Sequence, residues 1–142
     1  MGLHAFVKVI TNLWGTPLTS GGVLRLYLRE MTYKNPEWSY SAVLYELNVR
    51  QLTPEGTFAA AMERLPFLRS IGIDAIWLMP IYPIGIEGRK GSLGSYYSIR
   101  DYKAINEEFG TTDDFRAFVT AAHALGMKVI LDWVANHTAP DS

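Results

Sequence analysis

Met127-Lys-Val-Ile-Leu131, followed by Asp132-Trp-Val-Ala-Asn136-His137, is the stretch of the chain that says most about its fold. The first part is short and almost wholly apolar, which is typical of a buried strand in a parallel sheet. A carboxylate, an amide and an imidazole follow directly, and such groups are costly to place near a core without a purpose. In α/β barrels the active site is built at the carboxyl ends of the strands. The stretch therefore predicts a functional site around Asp132, Asn136 and His137.

The composition is that of a folded domain. Of the 142 residues, 49% are hydrophobic and 19% are charged, and the net charge is -1 with no run of like charge. We therefore expect neither nucleic acid nor a membrane surface as a partner. The absence of cysteine excludes disulfides, zinc–thiolate sites and thiol nucleophiles. The N-terminus does not have the pattern of a signal peptide, and the compartment is left unassigned.

Residues 1–40 are the least informative part of the chain. They contain turn signals and a weak strand-like alternation at Val23–Leu28, and Lys34–Ser39 looks like a linker. We assign residues 1–40 to an N-terminal extension of unclear structure and take residues 41–142 as the folded domain.

From residue 43 onward, strand and helix patterns alternate. Val43–Val49 is predicted as a strand, and Thr57 is a good N-cap for a helix that ends at Gly72. Pro66 lies inside this helix and predicts that it is kinked, or broken into two short pieces. The apolar positions that recur at helical spacing are Phe58, Met62, Leu65, Leu68 and Ile71.

The same order then repeats. Asp74–Ile81 is predicted as a buried strand, and the long connection Tyr82–Gly110 is of a length that is usually functional. Thr111–Asp114 opens a second helix with a capping box, and Lys128–Val134 is the third strand. The buried stripe of the second helix is predicted to be Phe115, Phe118, Val119, Ala122 and Leu125. Apolar strands that alternate with helices predict an α/β fold with a parallel sheet.

Four motifs in this order carry a family resemblance: Tyr45-Glu-Leu-Asn-Val-Arg50, Ile76-Trp-Leu-Met-Pro-Ile81, Gly94–Tyr102 and Asp132–His137. Together they resemble the catalytic barrel of the α-amylase family, glycoside hydrolase family 13, over residues 41–142. The resemblance implies a (β/α)8 barrel, of which this chain holds the first three βα units. It also implies retaining hydrolysis or transfer at the α-glucosidic bonds of α-1,4-glucans and malto-oligosaccharides.

In that family the nucleophilic Asp follows strand four, the acid Glu follows strand five and a supporting Asp follows strand seven. The resemblance therefore implies that no catalytic residue lies in this chain, which we expect to be a truncated N-terminal portion that requires the C-terminal part of the barrel. A non-catalytic barrel of the same type, serving as an interaction or transporter-associated module, is the alternative. Tyr97 and the Asn136-His137 pair are retained, which favours the enzyme.

The resemblance also implies roles for individual residues. Tyr97 matches the tyrosine that stacks against the sugar in the cleavage subsite, and His137 matches the histidine that hydrogen-bonds a hydroxyl of that sugar. Asp101 and Asp132 match positions that brace the base of the site. Asn136 matches a position whose amide oxygen binds calcium in many members, and whether this protein uses calcium is left open.

Other conspicuous residues have plainer interpretations. Trp77 and Trp133 lie in strand patterns and are predicted to be core residues. His123 lies on the second helix and is expected at the surface or in packing. Arg50 is expected to form an ion pair, and Asp74 precedes its strand and should lie at the opposite end of the sheet from the site.

Overall fold

The computed structural model describes residues 34–142, of which Trp38–Ser142 form one compact unit. The centre of this unit is a parallel sheet in the order β1-β2-β3. The strands are β1 (Leu44–Leu47), β2 (Ala75–Leu78) and β3 (Lys128–Leu131). The expected strand at Val23–Leu28 lies outside the described residues.

Helices connect the strands in the order that the sequence predicts. A one-turn helix α1 (Val49–Leu52) and the longer α2 (Phe58–Ser70) lie between β1 and β2, and α3 (Thr112–Ala124) lies between β2 and β3. Two short 3-10 turns, Glu37–Ser39 and Glu107–Phe109, complete the elements of this part. None of the helices within residues 34–142 has the length and apolar character needed to cross a membrane.

Both long helices begin at the residues that the sequence predicts. The Thr57 hydroxyl accepts the backbone N–H of Ala60 at 3.3 Å. Thr111 and Asp114 form the predicted capping box, in which the Thr111 hydroxyl accepts the Asp114 N–H and the Asp114 carboxylate accepts the Thr111 N–H. The Thr111 hydroxyl also donates to the Asp114 carboxylate at 2.7 Å, and this bond, followed by the one from the Thr111 N–H, holds the pKa of Asp114 below its ordinary value.

The core lies between one face of the sheet and the two long helices. Phe58 on α2 packs against Phe118 on α3 and against Phe109, with ring centroids 5.7 Å and 6.2 Å apart. Ile76 and Leu78 of β2 point into the same cluster and are fully buried. The predicted stripe of the second helix is confirmed, because Phe118 and Ala122 are buried and its other members pack on the cluster.

The opposite face of the sheet is open to solvent, and this corrects the prediction for the two tryptophans. Successive side chains of a strand alternate between faces, so Trp77 points away from Ile76 and is 38% exposed. Glu46 and Ile130 flank it in register on β1 and β3. Trp133 is 71% exposed because it follows the end of β3. The prediction that both are core residues is wrong.

Several local predictions are also wrong. The first helix is continuous through Pro66, because the buried neighbours Leu65 and Leu68 hold it against the core while Pro66 itself is exposed. Val49 begins α1 and does not extend β1. Ile71 follows the end of α2 and is 57% exposed, whereas Ala61 is buried in the helix. The second and third strands are also shorter than predicted and end at Leu78 and Leu131.

Candidate functional site

Two of the predicted site residues meet at the carboxyl ends of the strands. Asp132 follows β3 directly, and Tyr97 comes from the long connection between β2 and α3. The Tyr97 hydroxyl donates to Asp132 Oδ2 at 3.2 Å. Burial, the Asp132 charge, this hydrogen bond and the Glu46 charge raise the pKa of Tyr97. Tyr97 is therefore a neutral hydrogen-bond donor at neutral pH, and its ring is anchored beside a carboxylate.

A second tyrosine, Tyr102, holds the segment that follows Asp132. Its hydroxyl donates to the Val134 carbonyl oxygen at 2.6 Å and lies 3.0 Å from the His137 carbonyl oxygen. The ring of Tyr82 packs against that of Tyr102 with centroids 5.5 Å apart. Burial, followed by the neighbouring Tyr102 and Asp132, raises the pKa of Tyr82. Tyr102 ends one of the four motifs, but nothing local in the sequence predicts that it reaches the segment after β3.

Asn136 and His137 are both exposed, and they contact each other. Asn136 Nδ2 lies 3.2 Å from His137 Nδ1. An amide nitrogen can only donate, so this contact is a hydrogen bond for the His137 tautomer that has Nδ1 as acceptor and its hydrogen on Nε2. This leaves an N–H donor of His137 available to a ligand. No direct hydrogen bond joins His137 to Tyr97 or Asp132 among residues 34–142.

Asp101 lies in the long connection between β2 and α3, four residues after Tyr97. Its carboxylate accepts the backbone N–H of Lys103 at 2.7 Å, and the residue is exposed. This is a turn within its own loop, of the kind that aspartate often stabilises. Asp101 therefore orders the loop between Tyr97 and Lys103, and its role toward a bound sugar stays a prediction.

Calcium binding at Asn136 also stays a prediction. Calcium takes about six to eight oxygen ligands, most of them carboxylates and carbonyls. In the part of the chain that the structure describes, no three acidic or histidine side chains come together in a way that could hold a metal ion. Asn136 Oδ1 could supply one oxygen ligand, and the described side chains do not form a metal site by themselves.

Polar groups away from this edge have structural partners. Asp74 lies before β2, accepts the Val43 N–H at 3.0 Å and pairs with Arg69 at 2.7 Å. Its place at the opposite end of the sheet is as predicted. Arg50 forms the expected ion pair, with Glu108 at 2.5 Å, and His123 is exposed as expected.

The arrangement is suited to binding a polyhydroxylated ring. Tyr97 presents a ring that is 36% exposed, and His137 presents an N–H donor in the same region of the fold. Aromatic faces match the apolar C–H surfaces of sugars, and single polar groups fix a ligand's orientation. A parallel βαβαβ sheet with such groups at its carboxyl edge is the arrangement found in one sector of an α/β barrel.

The chain belongs to the α-amylase family, because residues 25–142 match the model of the α-amylase catalytic domain. The crystal structure of an α-amylase from Lactobacillus plantarum is 50% identical and matches with a TM-score of 0.70 over 71% of this chain and 24% of that chain. A maltogenic α-amylase from Thermotoga neapolitana is 44% identical, with a TM-score of 0.66 over 70% of this chain and 24% of that chain. The predicted family and fold are confirmed: the sheet and helices match the N-terminal β/α units of an amylase barrel.

The curated relatives catalyse more than one reaction. A trehalose synthase/amylase from Mycobacterium tuberculosis is 41% identical over 74% of this chain and 17% of its own length. An oligo-1,6-glucosidase from Heyndrickxia coagulans is 34% identical over 74% of this chain and 19% of its own length. The chain thus spans less than a fifth of the length of these relatives. The family contains glycosidases and transferases, and membership alone does not fix the reaction or the substrate.

Proposed function

We propose that this chain forms one wall of the sugar-binding cleft in an enzyme that cleaves α-glucosidic bonds of α-1,4-glucans or malto-oligosaccharides. The hydrogen bond between Tyr97 and Asp132 is the observation that carries the proposal. It fixes an exposed aromatic ring at the carboxyl edge of the sheet, where barrel enzymes bind their substrates. Family membership supports the class of bond, and the substrate is the finer part of the proposal.

The residues of this wall have different proposed roles in sugar binding. The Tyr97 ring stacks on the C–H face of a glucose unit, and Asp132 keeps that ring in place through the phenolic hydroxyl. His137 donates Nε2–H to a sugar hydroxyl. A hydrogen bond from Asn136 Nδ2 to Nδ1 favours the tautomer that this sugar contact needs, with the hydrogen on Nε2. If calcium binds to the full-length protein, Asn136 is the residue of this wall that we propose as a ligand.

Bond cleavage itself is assigned to the carboxylates that the family resemblance places after later strands. In a retaining mechanism one carboxylate attacks the anomeric carbon while a carboxylic acid protonates the leaving oxygen. Residues 34–142 contribute binding and orientation to this step. Asp132 already accepts a hydrogen bond from Tyr97, which suits it to a positioning role.

The test compares two histidine variants of the full-length protein. His137→Ala removes the proposed donor to the sugar, while His123→Ala removes an exposed histidine of α3. A hydrogen bond is worth about 0.5–1.5 kcal/mol, so kcat/KM on maltoheptaose should fall about 2- to 10-fold for His137→Ala and stay unchanged for His123→Ala. Reducing-end release and product chain length separate hydrolysis from transfer.

The results that contradict the proposal are equally specific. A full-length protein that folds and neither cleaves nor transfers malto-oligosaccharides would favour the non-catalytic barrel. Equal kcat/KM values for the two histidine variants would remove His137 from the sugar site.

A further inference from the structure

We propose that the segment after His137 is a clasp that sets the position of Tyr97 relative to His137, with Asp141 as a positioning residue. The clasp consists of Ala139 and Asp141 on one side and of Gly85, Ile86 and Ile99 on the other. The inference rests on the proposed function for the ligand that the two positioned residues bind. The clasp itself is inferred from the contacts between these two segments alone.

Two hydrogen bonds join the segments. The Ala139 N–H donates to the Ile99 carbonyl oxygen at 2.8 Å, and Asp141 Oδ2 accepts the Ile86 N–H at 2.9 Å. Ile99 lies two residues after Tyr97, and Ala139 lies two residues after His137. The first bond therefore ties the two backbones at equal distances along the chain from the two proposed sugar-binding residues.

The clasp contacts the loop between Ile84 and Ile99, and backbone pairing joins the two ends of this loop. Ile84 and Ile99 form an antiparallel bridge, with Gly85 N–H donating to Ser98 O at 2.8 Å. Ile84 is 5% exposed, Ile99 is fully buried and Ala139 is 3% exposed. The segment after His137 thus packs against a built and buried base, so that a shift of Ala139 must move Ile99 as well.

Gly85 permits this close approach. A Cβ at Gly85 would lie 2.3 Å from Ala139 Cβ and 2.7 Å from Asp141 Oδ1. The backbone of Gly85 is not in the left-handed region, so any residue could adopt its conformation and only space requires glycine there. The two segments therefore pack so closely that the space between them at Gly85 does not hold one added methyl group.

The Asp141 carboxylate has one oxygen that is hydrogen-bonded and one that is buried without a partner among the described residues. Hydrogen bonding from the Ile86 N–H lowers the pKa of Asp141, so the group is charged at neutral pH. Its other oxygen, Oδ1, is buried and has no hydrogen-bond partner among the described residues. An unmatched buried oxygen offsets part of what the bond to Ile86 contributes. The main effect of Asp141 is accordingly the position that it imposes on Ile86.

The first experiment uses the full-length protein and forces the two segments apart by adding a single methyl group between them. Gly85→Ala introduces the Cβ clash, and Ala139→Gly in the same molecule removes its closest partner. Displacement of binding groups by about 1 Å can cost about 100-fold, so we expect kcat/KM on maltoheptaose to fall about 10- to 100-fold for Gly85→Ala. We expect the double variant to recover part of this loss, because the added Cβ still lies 2.7 Å from Asp141 Oδ1, and Ala139→Gly alone to stay close to wild type.

The second experiment reports on the clasp without enzyme activity and does not depend on Gly85→Ala folding. Hydrogen–deuterium exchange of peptides covering residues 84–102 should be faster in Asp141→Ala than in wild type. The control is Asp113→Ala, which removes an exposed carboxylate of α3 that pairs only with Arg116 in the described structure. Equal exchange in the two variants would overturn the clasp.

The outcomes distinguish the clasp from the proposed function. If His137→Ala lowers kcat/KM while folded Gly85→Ala or Asp141→Ala leaves it within twofold of wild type, the positioning role is wrong and the sugar site stands. If the protein does not act on glucans but exchange in residues 84–102 responds only to Asp141→Ala, the contacts are supported and the proposed function fails. A Gly85→Ala defect that Ala139→Gly does not relieve even in part would also count against the clasp.

Discussion

Replacing Tyr97 tests whether its ring or its hydroxyl recognises the ligand. The side chain is 36% exposed, which for a tyrosine of about 200 Å² leaves about 70 Å² for a sugar to cover. At about 25 cal/mol per Å², losing this contact in Tyr97→Ala costs about 1.8 kcal/mol, a factor of about 20 in kcat/KM. Tyr97→Phe keeps the ring and loses only the bond to Asp132. At 3.2 Å this bond is long for O–H···O, so we expect about 0.5 kcal/mol, a factor of about 2.

The assay is the steady-state kinetics of the full-length protein on malto-oligosaccharides, with ligand affinity measured in parallel by calorimetry. Tyr40→Ala is the matched control, because Tyr40 is 73% exposed and precedes β1. A Tyr97→Ala protein within threefold of wild type would refute the stacking role. A Tyr97→Phe protein as impaired as Tyr97→Ala would move the role from the ring to the hydroxyl.

Three further predictions concern stability, its pH dependence and association. Thr111→Ala should lower the free energy of unfolding by about 1 kcal/mol in urea titrations, since the N-cap of α3 is lost, whereas Thr120→Ala in mid-helix should change little. Because the pKa of Asp114 is lowered from 3.8, its contribution is full above that pH and lost below it, so the defect of Asp114→Asn should shrink in acid. The isolated 142-residue polypeptide should associate or precipitate, because the open sheet face exposes Leu44 and Trp77. It should show no amylolytic activity, because bond cleavage is assigned to carboxylates after later strands of the barrel. A monodisperse monomer in light scattering, or release of reducing sugar from starch, would contradict this expectation.

The order of strands and helices was predictable because each element is marked by local chemistry. Thr57 and Thr111 are N-caps that act within one helical turn, and the short apolar runs at Ala75–Leu78 and Lys128–Leu131 pair in register as parallel strands. Family membership was predictable for a related reason. The four motifs lie at or just after the three strands and in the loop after β2. Their spacing along the chain therefore follows the βα unit that repeats in a barrel.

The errors arose where a distant partner decides the outcome. Pro66 stays within a helix because residues on either side of it are buried against the core, and this depends on the position of α3. Trp77 was assigned to the core because an apolar strand pattern does not show which face the helices cover. Tyr102 and the clasp were missed for the same reason, since their partners lie more than thirty residues away along the chain.

These long-range contacts change the meaning of the motif at Asp132–His137. As sequence, the carboxylate, amide and imidazole look like one chemical cluster. In the fold, Asp132 is engaged by Tyr97, whereas the turn that carries Asn136 and His137 is held by Tyr102 on one side and by the Ile99–Ala139 bond on the other. Both tyrosines and Ile99 come from the single connection between β2 and α3. That connection therefore sets the geometry of the motif, and a variant of the motif and a variant of Gly85 should impair the same binding step.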